Sequence, residues 1–149
     1  MIKKIPKDTT TFKYHNENPK DKRSGDCVLR AIATATGKTW DEVLDELVVF
    51  AHKYKEMPSD PKCYGKYLES LGFTKMQQPR KSYNTKYTGA EFCNLCSKVY
   101  KNGEKIVAHI GGGHIVAIVP THENDSYKVI DIWNSTGGSI GNYWIKWEV

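Results

Sequence analysis

The stretch KIVAHIGGGHIVAIV, residues 105–119, decides the fold class. Two runs rich in β-branched residues, 105–110 and 114–119, flank the three glycines Gly111, Gly112 and Gly113. Short runs of this composition, bounded by turn-formers, read as strands. The same pattern continues in 127–133 and 142–147, so the last third of the chain is predicted to be an antiparallel β-meander.

Upstream the period changes, and apolar residues recur at helical spacing. A helix is predicted from Cys27 to about Thr36, capped by Gly25 or Asp26. It buries Val28, Leu29, Ile32 and Ala33 and stops at Gly37. Thr39-Trp40-Asp41-Glu42 is a capping box that opens a second helix, with Trp40, Val43, Leu44, Leu47, Val48 and Ala51 on one face to about Tyr54. After the break MPSDP, residues 57–61, a short helix passes through Tyr64, Tyr67, Leu68 and Leu71 to Gly72. Residues 77–86 are polar and read as a long loop. A second capping box, Thr88-Gly89-Ala90-Glu91, starts a helix to about Lys101, closed by Asn102-Gly103. Helices first and strands afterwards predict an α+β domain with its helices packed on one face of the sheet.

The 149 residues fit one compact domain, with 1–24 a basic N-terminal arm broken by Pro6 and Pro19 and 25–149 the domain itself. A hydrophobic fraction of 39% and a charged fraction of 26% exclude a disordered chain. No apolar run approaches the roughly 20 residues that span a membrane. The start, MIKKIPKDTT, lacks the apolar centre of a signal peptide, so the expected location is the cytoplasm of a producing bacterium or phage host, with all four cysteines reduced. The net charge of +5 gathers in Lys3, Lys4, Lys7, Lys20, Lys22 and Arg23 and in 75–86. Lysines on loops are most often simply solvated. Trp133, Tyr143, Trp144 and Trp147 have only Lys146 interleaved, so they are expected in the core and rim of the sheet. Nucleic acid is not the expected partner.

The residues that carry chemistry are Cys27, His114 and Asp131. A cysteine opening a helix meets unpaired backbone N–H groups and the positive end of the helix dipole, which favour thiolate. The same N–H groups can hold an oxyanion. His114 begins an apolar strand after a glycine run, a place that fixes the imidazole direction. Asp131 interrupts an apolar strand, and a buried carboxylate needs a partner such as a histidine on the neighbouring strand. Asn134 competes for that orienting role, and His109 competes for the role of base.

This order resembles the papain-like cysteine peptidase superfamily, and within it a group of small uncharacterised bacterial and phage proteins. The likeness rests on DCVLRAIATATG (26–37), YLESLGF (67–73), the histidine-led strand 114–119, the stretch Asp131-Ile132-Trp133 and the pair Tyr143-Trp144, and runs from about Tyr14 onward. It implies Cys27 as nucleophile, His114 as general base and Asp131 as orienting acid. It also implies an oxyanion-hole glutamine ahead of the cysteine, which 14–21 lacks; Asn16 or Asn18 stands in its place. The pair Asp26-Cys27 resembles the active-site start of ovarian-tumour-type deubiquitinases as well, but only locally, because those place the acidic residue differently.

No metal or other cofactor is expected. Cys93 and Cys96 form a CxxC inside a helix rather than at its start, which reads as structural. A zinc site joining them to Cys63 and to His109 or His114 has only one closely spaced ligand pair. The expected function is therefore a thiol hydrolase, a cysteine peptidase or isopeptidase with acyl transfer left open. The loops 77–88 and 135–141 would flank an exposed peptide or protein substrate. The alternatives are a non-catalytic protein-binding module on the same fold, such as a phage-encoded inhibitor, and a basic nucleic-acid-binding module.

Overall fold

Helix starts follow the local chemistry of the chain. In the computed structural model, which describes residues 5–122 and 125–148, helix α1 spans Cys27–Thr36 and ends on Gly37, whose left-handed φ of 77° lets its N–H reach the Ala33 carbonyl. Helix α2, Trp40–Tyr54, opens on a complete capping box: the Glu42 N–H donates to Thr39 Oγ1 at 3.1 Å, and the Thr39 N–H donates to Glu42 Oε1 at 3.1 Å. Helix α3, Pro61–Ser70, is capped by Asp60, which accepts from the Lys62 N–H at 2.8 Å. Helix α4, Gly89–Val99, repeats the box with Thr88 and Glu91.

Among the described residues, six strands form one mixed sheet. They are β1 (Phe12–Tyr14), β2 (Thr74–Met76), β3 (Lys105–Ile110), β4 (His114–Pro120), β5 (Tyr127–Asp131) and β6 (Ile140–Lys146), in the order β1-β5-β4-β3-β6-β2. The fold class is α+β, but the sheet is not a plain antiparallel meander. Only β3, β4 and β5 follow one another antiparallel; β6 crosses back to the far edge of β3, and β1 runs parallel to β5. The parallel edge comes from the segment read as an arm. Phe12 is fully buried, and the Val129 N–H donates to the Thr11 carbonyl at 2.8 Å. Lys3 and Lys4 of that segment lie outside the described residues.

The helices also cover both faces of the sheet rather than one. Helices α1, α2 and α3 pack on the side carrying Val107, Ile115, Ala117, Ile130 and Trp144. On the other side, Phe92, Cys93 and Cys96 of α4 meet Ile106, Ala108, Val116, Ile118 and Val129. The physical reason lies in the strands, whose successive residues are apolar in both directions of the pleat and need cover on both sides. Tyr143 and Trp144 are core, whereas Trp133 and Trp147 sit half-exposed on the rim.

One end of the sheet gathers the start of β4, the end of β5 and the start of β6. The loop before β6 lies on the β3–β4 turn so closely that a Cβ on Gly138 would come within 3.0 Å of the Gly111 nitrogen. The loop after β2 is tied to the same end by Gln78, whose N–H donates to Asn142 Oδ1 at 2.9 Å and whose side-chain amide donates to the Ile140 carbonyl at 2.8 Å. Among the described residues, no helix is long and apolar enough to cross a membrane.

Candidate active site

Cys27 is the first residue of α1, and its helix start differs from the other three. Asp26 precedes it but makes no side-chain cap. Its carboxylate is taken elsewhere: Oδ1 accepts from Arg30 Nε at 2.9 Å, and Oδ2 accepts from Trp40 Nε1 at 2.9 Å and from Asn18 Nδ2 at 3.0 Å. The first-turn N–H groups of α1 are thus left without a capping side chain, beside the sulfur and at the positive end of the dipole.

His114 is delivered to this sulfur by the turn before β4, where Gly111 (φ 61°) and Gly113 (φ 96°) take left-handed backbone that a side chain would strain. Its Nε2–H donates to Asp131 Oδ2 at 2.7 Å, so Nδ1 is the nitrogen left for its hydrogen bond with the Cys27 sulfur. The Ile115 N–H also reaches Cys27. The Trp133 ring lies over the imidazole, 5.1 Å between centroids.

Asp131, the last residue of β5, is buried with every lone-pair direction used. Oδ2 accepts from His114 and from the Ser135 hydroxyl at 2.8 Å; Oδ1 accepts from the Ile132 N–H at 2.8 Å and from Arg30 Nη1 at 3.1 Å. Four hydrogen bonds fix both its ionisation and its direction.

The electrostatics follow from these contacts. Burial opposes charge on the Cys27 sulfur, but the hydrogen bonds from His114 and the Ile115 N–H and the charges of His114 and Arg30 outweigh it, so the thiol pKa is lowered. Burial likewise opposes the imidazolium, yet the bonds to Asp131 and Cys27 raise His114 to about 9. Asp131 is held below the usual carboxylate value: burial opposes its charge, and the His114 hydrogen bond leads the effects that overcome it. Both shifts move the pair toward thiolate and imidazolium.

The residues expected from sequence are brought together unevenly. Cys27, His114 and Asp131 meet. Asn134 does not orient the histidine; its Oδ1 accepts from the Thr136 N–H and hydroxyl. Asn16 is committed to its own loop, donating to Asp21 Oδ1 and the Lys22 carbonyl. Asn18 reaches the site only through Asp26. His109 bonds the Tyr64 hydroxyl at 3.0 Å, and burial, followed by the charge of Lys75, lowers its pKa. Cys93 and Cys96 are fully buried under one face of the sheet and Cys63 under the other, so the three thiols do not converge. Burial pushes Cys93 up to about 12.

Four participants escaped the sequence reading: Arg30, Trp40, Ser135 and the carboxylate of Asp26. The i,i+4 spacing of Asp26 and Arg30 was a legible signal for one of these contacts. Comparison of the chain with family models, curated proteins and solved structures found no match.

Proposed function

We propose that the chain is a papain-like thiol hydrolase, a cysteine peptidase or isopeptidase acting on exposed peptide or protein substrates. The observation that carries this reading is the 2.7 Å bond from His114 to Asp131 beside a Cys27 thiol whose pKa His114 lowers, set at a helix start that no side chain caps. A structural cysteine has no need of a saturated carboxylate behind a histidine, and Cys93 and Cys96 do without one.

In this mechanism the Cys27 thiolate attacks the amide carbonyl carbon, a C–S bond forms, and the carbonyl π pair moves to oxygen. The free N–H groups of the α1 first turn hold that oxyanion. The imidazolium gives its Nδ1 proton to the leaving nitrogen as the C–N bond breaks and the amine departs. His114, now neutral, takes a proton from water, whose oxygen attacks the thioester. The C–S bond breaks, and thiolate and imidazolium return. An amine in place of water gives acyl transfer by the same steps. A pocket of about 310 Å³ bounded by Trp133, Gly111 and Gly138 shares the Trp133 ring with the imidazole and suits a side chain of a bound peptide. The reading includes a reducing cytoplasm, in keeping with four unpaired thiols.

The test is the alkylation rate of each cysteine by iodoacetamide against pH, read by mass spectrometry, alongside hydrolysis of a denatured-protein substrate. Cys27 is expected to react at least tenfold faster near neutral pH than a free thiol of pKa about 8.5, and to lose that advantage in His114→Ala. Hydrolysis should vanish in Cys27→Ala. Cys27 reacting no faster than the buried Cys63 removes the enzyme reading and leaves a binding module in its place.

A further inference from the structure

We propose that Arg30 is a positioning residue for the thiol hydrolase, holding the Asp131 carboxylate against His114 by sharing one guanidinium between Asp26 and Asp131. The inference rests on the proposed hydrolase and names what keeps its parts in register.

Arg30 lies one turn beyond Cys27 on the same helix and is 7% exposed. A helical i,i+4 pair with Asp26 needs no such burial; pairs of this kind ordinarily stay solvated. What places the guanidinium inside is its second bond, from Nη1 to Asp131 Oδ1 on the far strand. The planar fork sets the angle between those two bonds, which a single ammonium cannot do. Asp26 is itself held by Trp40 of α2 and by Asn18 of the preceding loop, so the fork has a fixed base. The helix that carries the nucleophile and the strand that carries the orienting carboxylate are thereby joined through one side chain.

The charges alternate along this path: Asp26, Arg30, Asp131, His114, Cys27. The groups that face it are Asp26 just before α1, Cys27 on α1, His114 on β4 and Asp131 on β5, with Ser135 after β5, Trp40 on α2 and Tyr64 on α3. Without the guanidinium, Asp131 Oδ1 keeps only the Ile132 N–H, and Cys27 loses a neighbouring cation. The first lets the carboxylate turn away from His114 and the second removes a charge that stabilises the thiolate, so the reactivity of Cys27 moves to higher pH.

The experiment is the pH profile of Cys27 alkylation by iodoacetamide in the full chain, with folding followed by circular dichroism. In Arg30→Met the midpoint should rise by about one unit, a roughly tenfold loss of rate on the acid side. Arg30→Lys, which keeps the charge and loses the fork, should fall between Arg30→Met and wild type. Leu47→Ala, a truncation in the fully buried core, should lower Tm and leave the midpoint in place, which separates positioning from bulk stability. A folded Arg30→Met with the wild-type profile overturns the proposal. Should Arg30→Met not fold, Arg30→Lys decides: a rise of about half a unit supports the proposal, and an unchanged profile overturns it. A wild-type protein whose Cys27 has no advantage over Cys63 sinks the hydrolase itself, an outcome distinct from an unmoved Arg30 variant.

Discussion

His109 and His114 sit on facing strands of one hairpin, with Ile110 paired to His114 and His109 paired to Ile115. Their pKa values are nevertheless shifted in opposite directions. His109 packs beside Tyr64 and Trp144 and bonds a phenol, so burial and the charge of Lys75 keep it neutral. His114 faces a carboxylate and a thiol, and these outweigh burial and carry it to about 9. Burial alone does not set the charge of a histidine; the partner does. His109 is paired with a phenol, whereas His114 is paired with a carboxylate that holds a proton on its ring.

Asp131→Asn breaks this comparison most severely. An amide keeps the shape and loses the charge, so an NMR titration of His114 should fall from about 9 toward the ordinary value of about 6.5. The alkaline limb of hydrolysis moves down with it, and the rate drops by about 10²-fold or more. A His114 titration left in place would mean that the carboxylate does not hold the imidazolium.

His109→Gln should leave the Cys27 alkylation profile within about twofold while costing about 1 kcal/mol of stability through the altered bond to Tyr64. The pH dependence sharpens the point. His109 has a lowered pKa in the fold, so its contribution is present above the unfolded value of about 6.5 and is lost as pH falls through the folded one. Urea unfolding from pH 7 downward should show that slope in wild type and a flatter one in the variant. A change in Cys27 reactivity instead would make His109 part of the site.

The smallest effect belongs to Trp133→Ala. The half-exposed ring over His114 favours the imidazolium by about 0.5 kcal/mol, so its loss should lower the His114 titration by about 0.4 unit. A shift of more than a full unit would give the ring a larger part than stacking supports.

The helices were legible because their signals are local. Thr39 with Glu42, and Thr88 with Glu91, mark two starts within four residues, and Gly37 marks a stop. The triad was legible as residue types at strand and helix ends. What the chain concealed is non-local. Phe12 lies among polar and basic residues, and its strand exists only because β5 offers a parallel edge. Helix α4 carries an amphipathic pattern that does not say which face of the sheet it covers. The doubly apolar strands of 106–108 and 115–119 did carry that information. Arg30 reads as an ordinary helix-surface cation until Asp131 arrives from the other end of the chain.

That last contact spans 101 residues. During synthesis at about 5–20 residues per second, the residues of α1 precede the strand that completes their site by roughly 5–20 s. Through that interval Cys27 has neither His114 nor Asp131 beside it, and the bond and charge of His114 that lower its pKa are missing. The His114 side chain that lowers the Cys27 pKa therefore reaches the thiol only when the C-terminal strands close.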